Sequence, residues 1–166
     1  MMQERLSRAR ISVVAAALFL LAFIIFAHGY TARAASQASA SDDIPADKLV
    51  QPDELAKQLK GDNKPTVVCV GPRALYNGAH IPGALYHGPA STDAGMNDLT
   101  DWARSVSKDT NVVIYCGCCP FSRCPNVRPA FKALTQMGFT HLKVLALPDN
   151  FHTDWTAQGL PVETGK

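Results

Sequence analysis

Seventeen consecutive residues near the start of the chain, 11–27 (ISVVAAALFLLAFIIFA), carry no charge. Apolar residues fill every face of this run, which argues against a core helix of the folded domain. It follows Arg5, Arg8 and Arg10, opposed only by Glu4, and precedes the Ala/Ser-rich HGYTARAASQASASDD. A basic start, an apolar stretch and small residues at an A-x-A site describe a secretory signal. Cuts after Ala34 and after Ala40 both fit. The run is also near the short end for a membrane span, so an uncleaved anchor over 11–27 is the rival reading, with cleavage favoured. Either way the basic flank stays inside. The sequence thus divides into a leader or anchor with its linker, 1–40, and an exported domain, 41–166, expected in the periplasm or another extracytoplasmic space.

Net charge is also missing from the domain. From Ser41 onward there are 12 Lys and Arg against 13 Asp and Glu, and no basic patch that would suit nucleic acid. No repeat is visible. No Ser-His-Asp set and no histidine spacing suited to a metal stand out. About 126 residues remain, enough for one domain with its own core.

Along that domain, short apolar runs alternate with helical patterns. QPDELAKQLK (51–60) predicts a helix with Leu55, Ala56 and Leu59 on one face. TVVCV (66–70), NVVIY (111–115) and HLKVLAL (141–147) read as buried parallel strands. GAHIPGALYH (78–87) reads as a turn leading into a brief strand. Residues 93–107 predict an amphipathic helix through Met96, Leu99, Trp102 and Val106. Residues 125–139 predict a second, with Phe131, Leu134 and Met137 inward and Gly138 at its end. Residues 149–158 form a last short helix around Trp155, which, like Trp102, reads as core. This alternation argues for an α/β domain with a mainly parallel sheet. Ligands of such sheets bind beyond the carboxyl ends of the strands.

Four of the five cysteines fall at such an end: Cys116, Cys118, Cys119 and Cys124. The strand NVVIY delivers Cys116 to the rim. A helix starting near Cys124 or Pro125 points its N-terminus back at it, where free N–H groups favour an anion. The same field is expected to lower the pKa of a thiol over the loop. Arg123 adds a fixed positive charge with a fork of donors. A thiolate, N–H donors and an arginine make a site for attacking an anionic substrate. Arg128 reads as a solvated or capping charge, and Cys69 as a small core residue.

Three stretches resemble a rhodanese (sulfurtransferase) domain. YNGAHIPGAL (76–85) is similar to that family's Gly-His-Ile-Pro-Gly-Ala turn, in which His80 reads as structural. NVVIYC (111–116) is similar to the strand that ends in its catalytic cysteine. MGFTHLKVL (137–145) with WTAQGLPVE (155–163) is similar to its closing strand and tail. The resemblance implies a three-layer sandwich of five mostly parallel strands with helices on both faces. It also implies that Cys116 takes a sulfane sulfur as a persulfide and passes it to a thiol or cyanide. The chain departs from the family's pattern at Cys69, where an acid is usual, and at Gly71, where an arginine is usual; Arg73 is a partial replacement. Ala79 stands where a glycine is usual. Six residues separate Cys116 from Arg123, more than the family's loop usually holds, and counting from Cys118 restores the usual interval. Cys118 is therefore a second candidate nucleophile.

The expectation is an exported sulfurtransferase with Cys116 as nucleophile. Arg123 would hold the anionic, thiosulfate-like donor. The loop of Gly117, Cys118, Cys119, Pro120, Phe121, Ser122 and Cys124 would cradle the persulfide with its amides. The partners are then a small sulfur-containing anion and a thiol acceptor, with no nucleic acid, and a membrane only through an uncleaved 11–27 segment. No organic cofactor is implied and no metal ligand is assigned. Cys124, then Cys118 and Cys119, are candidates to resolve an oxidised Cys116 as a disulfide. Two rival readings stand beside this one: a thiol-disulfide or oxyanion reductase using the extra cysteines, and a non-catalytic module binding a soft metal or a partner.

Overall fold

The computed structural model describes residues 44–165. The leader, its cleavage sites and the start of the domain at 41 lie outside the described residues. Among the described residues no helix is long and apolar enough to cross a membrane.

Five short strands make one parallel sheet. They are β1 (Leu49–Val50), β2 (Thr66–Cys69), β3 (Leu85–Tyr86), β4 (Val112–Tyr115) and β5 (Leu142–Leu145), in the order β1-β5-β4-β2-β3. The central strand, β4, pairs with both β2 and β5, so that Cys69 lies opposite Tyr115. Every residue of β4 is buried, as a strand covered on both faces requires. The side chains still alternate with the strand's two-residue period. Val112, Ile114 and Cys116 pack on one face, against α3 (Asp93–Arg104) and α4 (Val127–Gln136). Val113 and Tyr115 pack on the other, against α1 (Pro52–Gln58), α2 (Arg73–Gly78) and α5 (Phe151–Asp154). This is the expected three-layer arrangement.

Local chemistry sets the element ends. The side chain of Thr92 caps α3 by accepting from the Gly95 N–H at 3.1 Å. Gly138, at φ +91°, follows α4 in the left-handed region that a side chain disfavours. Trp155 is fully buried and donates its indole N–H to the Pro161 carbonyl at 2.8 Å. Trp102 is half-buried, stacked between His87 and Phe139. His80 is structural: its Nδ1 donates to the Tyr76 carbonyl at 2.8 Å, its ring stacks on Tyr76, and its backbone pairs with Glu163.

One expectation needs correction. The second long helix begins at Val127, not at Cys124 or Pro125. Cys124 is extended (φ −71°, ψ 122°), because a residue before proline is pushed out of the helical region. A single 3-10 turn, Phe121–Arg123, fills the loop instead, and Pro129 takes the early helical position in place of Pro125.

Candidate active site

β4 ends at Tyr115, and Cys116 follows at the carboxyl edge of the sheet. A cavity of about 410 Å³ opens there, lined by Cys116, Gly117 and Cys118, and by Cys69, Tyr76 and Tyr115 among others. Gly117 has φ +81°, and a Cβ on it would lie 2.6 Å from that of Phe151. The turn is therefore built for glycine, and its carbonyl accepts from the Phe151 N–H at 3.1 Å. Gly71 faces Cys116 from β2's end: a Cβ there would lie 2.7 Å from the Cys116 carbonyl oxygen and 2.9 Å from its Sγ. The position where the resembled family has an arginine is thus filled by Cys116 itself. Arg73 does not replace it; its guanidinium lies over the Tyr86 ring at 3.9 Å.

The four loop cysteines come together, and none is in a disulfide. Cys116 and Cys124 are 4% and 2% exposed, whereas Cys118 and Cys119 are half-buried. Cys116 Sγ lies 3.1 Å from Cys118 Sγ, which lies 3.2 Å from Cys119 Sγ. The sulfurs of Cys116, Cys118 and Cys124 are all within 4.8 Å of one another. Asn126, buried at 3% exposure, donates its Nδ2–H to Cys116 Sγ at 3.3 Å, and its Oδ1 accepts from the Ser91 N–H at 2.9 Å.

Of the loop thiols, Cys124 is the one whose surroundings lower its pKa. Its pKa is lowered to about 5, first by the neighbouring Cys116 side chain and then, against burial, by the backbone N–H groups of Asn126 and Val127. Those are the cap and first residue of α4. The helix start therefore serves Cys124, not Cys116 as the sequence led us to expect. Cys116 is pushed far above the ordinary thiol value by the neighbouring Cys124 side chain and by burial; the Cys118 N–H pulls the other way. Burial pushes Cys119 up to about 12 and Cys69 up to about 11.

The outer half of the expected cradle of loop amides is spent. The Phe121 N–H donates to the Leu147 carbonyl, that of Arg123 to Pro120, and that of Cys124 to Phe121; Pro120 has none. Ser122 and Arg123 are exposed, Pro120 and Phe121 half-buried, and none of these four lines the cavity. Among the described residues the cavity lining includes no Lys or Arg, and His152 is its sole basic side chain. Arg128 ties the loop to α4, donating from Nη1 to the Phe121 carbonyl at 3.0 Å. The sequence reading missed Asn126 as part of the site. Its signal was a polar side chain at the cap of a helix, right after the Cys-Pro pair. Cys69, read as core, is buried and also borders the cavity.

Compared with known protein families, residues 51–147 match the Rhodanese-like domain. No curated protein sequence matches the chain. Among solved structures it is similar to the Rhodanese-like domain of the Alr3790 protein from Anabaena sp. The identity is 26% and the TM-score 0.54, covering 70% of this chain and 79% of that one. It is also similar to the BH2092 protein from Bacillus halodurans, at 23% identity and TM-score 0.54, over 69% and 75% of the two chains. A third similar structure is EanB carrying a cysteine persulfide, with ergothioneine, at 19% identity and TM-score 0.54. That match covers 69% of this chain but 27% of EanB.

Proposed function

Since the chain belongs to the rhodanese-like domain family, we propose that it is a sulfurtransferase that carries a sulfane sulfur on Cys116. The observation that carries this reading is the position of Cys116. It follows the central strand directly and borders the one cavity described above, next to Cys124, whose surroundings favour the thiolate. That EanB holds a cysteine persulfide in a similar fold is consistent with it.

The cycle follows from the sulfur cluster. A donor R–S–SH enters the cavity. The Cys116 sulfur attacks the outer sulfur, the donor's S–S bond breaks, and RS⁻ leaves. The Cys116 proton passes to the Cys124 thiolate, which acts as general base. The Asn126 amide N–H stabilises negative charge on Cys116 as its proton departs. An acceptor thiolate or cyanide then takes the outer sulfur, and Cys116, leaving as thiolate, recovers its proton from Cys124. The cycle uses no organic cofactor.

The cavity favours a donor with an apolar body over thiosulfate. Its walls are largely aromatic and small side chains, and Arg123, which would hold the anionic donor, lies outside the lining. A cavity without Lys or Arg, with His152 as its one basic side chain, returns little of the desolvation cost of a small dianion. The charge-free run 11–27 with its basic flank supports export to the periplasm or another extracytoplasmic space, as a free or anchored domain. The test is sulfur transfer to cyanide from a neutral alkyl persulfide and from thiosulfate, with wild type, Cys116→Ser and Cys118→Ser. The account expects the alkyl persulfide to be the better donor and Cys116→Ser to be inactive with both. Activity that survives in Cys116→Ser and vanishes in Cys118→Ser would contradict it.

A further inference from the structure

Three thiols meet at the carboxyl edge of the sheet. Cys116 comes from the end of β4, Cys124 from the approach to α4, and Cys118 from the turn between them. Their sulfurs lie within 4.8 Å of one another, with Cys116 and Cys118 at 3.1 Å. Three sulfurs bonded at about 2.3 Å to one central ion in a plane stand about 4 Å apart. The observed spacing brackets that figure, so the site needs only small side-chain adjustments to close on an ion.

The donor set selects the kind of ion. Among the described residues no carboxylate or imidazole joins the three thiols, and an all-sulfur set suits a soft d10 cation. Zinc in closed sites takes four ligands. The fourth loop thiol, Cys119, touches Cys118 at 3.2 Å but falls outside the mutually close set. Three ligands therefore fit a monovalent ion content with trigonal coordination. The surroundings are also prepared: two of the three ligands are almost fully buried, and the Asn126 amide reaches Cys116 at 3.3 Å and Cys118 at 4.0 Å. Outer N–H donors of this kind orient and stabilise ligand thiolates.

We propose that the loop binds one Cu(I) ion through the thiolates of Cys116, Cys118 and Cys124. All three ligands bind as thiolates, any thiol proton still held passing to solvent as the ion binds, and copper stays in the +1 state. The bound ion occupies the Cys116 lone pair, so the loaded protein is closed to sulfur chemistry. The proposal does not rest on the sulfur-transfer reading, because its test reads metal and not turnover.

The experiment is anaerobic titration of the reduced full chain with Cu(I) against a coloured Cu(I) chelator, followed by X-ray absorption of the loaded protein. One Cu(I) per chain with three sulfur neighbours is expected. Cys116→Ser, Cys118→Ser and Cys124→Ser are each expected to lose more than about tenfold in affinity, beyond the loss of an outer partner. Cys119→Ser and Cys69→Ser are expected to bind as wild type. Failure of the folded wild type to compete with the chelator would overturn the proposal. So would a shell of four sulfurs, or a loss in Cys119→Ser equal to that in Cys116→Ser. Circular dichroism on each variant separates lost ligands from lost fold. The absorption measurement on wild type decides the shell whatever the variants do.

Discussion

Replacing Asn126 tests the link between the cluster and the fold. The side chain is 3% exposed and makes two kinds of bond: it accepts from the Ser91 N–H at 2.9 Å and donates to Cys116 Sγ at 3.3 Å. Asn126→Ala removes both and leaves a small void at the head of α4. Losing the partner of a buried polar group costs about 1–3 kcal/mol. Ser91 is exposed, so water can reach its amide, and the lower half of that range, about 1–2 kcal/mol, applies. For a domain of this size that is on the order of 3–6 °C in Tm per kcal/mol. Asn126→Asp separates the two bonds. Its carboxylate still accepts from Ser91, so stability is largely kept. It also puts a negative charge where an N–H donor met Cys116, which disfavours the thiolate needed for attack. The assay pairs thermal unfolding with the rate of persulfide formation at Cys116. The expected order of stability is wild type, Asp, Ala, and the expected order of rate is wild type, Ala, Asp. An Asp variant faster than Ala would refute the claim that Asn126 supports charge on Cys116. An Ala variant with unchanged Tm would refute the structural half.

Gly71→Ala should cost about 1–3 kcal/mol by overpacking and slow sulfur transfer, since its Cβ would press on Cys116 Sγ at 2.9 Å; unfolding and turnover measured together check this. Sulfur transfer should fall as pH drops through about 5, where Cys124 gains a proton and can no longer accept one from Cys116. It should be level from there to neutrality, and an acid limb near the ordinary thiol value of about 8.5 would show that no such base operates. Arg123→Ala should change kcat/KM with either donor by less than about threefold, because Arg123 is exposed and outside the cavity lining. A loss of about ten- to hundredfold with thiosulfate alone, the size of a charge-assisted contact, would show that the loop closes Arg123 onto the donor.

The central strands were legible because their residues are mostly apolar and rich in β-branched Val and Ile, with Lys143 the charged exception, the mark of strands buried on both faces. Thus Thr66–Cys69, Val112–Tyr115 and Leu142–Leu145 fall inside the runs read from sequence. β1 was not foreseen, because two residues, Leu49–Val50, carry no periodicity. α2 was missed for a similar reason: only Tyr76 of Arg73–Gly78 is buried, so the segment has no apolar stripe. The start of α4 could have been read correctly, since Cys124 before Pro125 argues against helix there. The position of Cys116 was legible, being the residue after the central strand. The location of the charge was not. It depends on which sulfur meets the Asn126 and Val127 amides, and spacing alone does not say. Ranking Cys124 ahead of Cys118 as the partner of Cys116 likewise left out the turn at Gly117, which brings Cys118 Sγ to 3.1 Å from Cys116 Sγ.

The most direct measurement is peptide mass spectrometry of the reduced protein after brief exposure to an alkyl persulfide and trapping with an alkylating agent. The account predicts one added sulfur atom on the peptide carrying Cys116, assigned to that residue by fragmentation, and its loss on adding a thiol acceptor. A sulfur found on Cys118 or Cys124 in the wild type, or no persulfide on any loop cysteine, would contradict it.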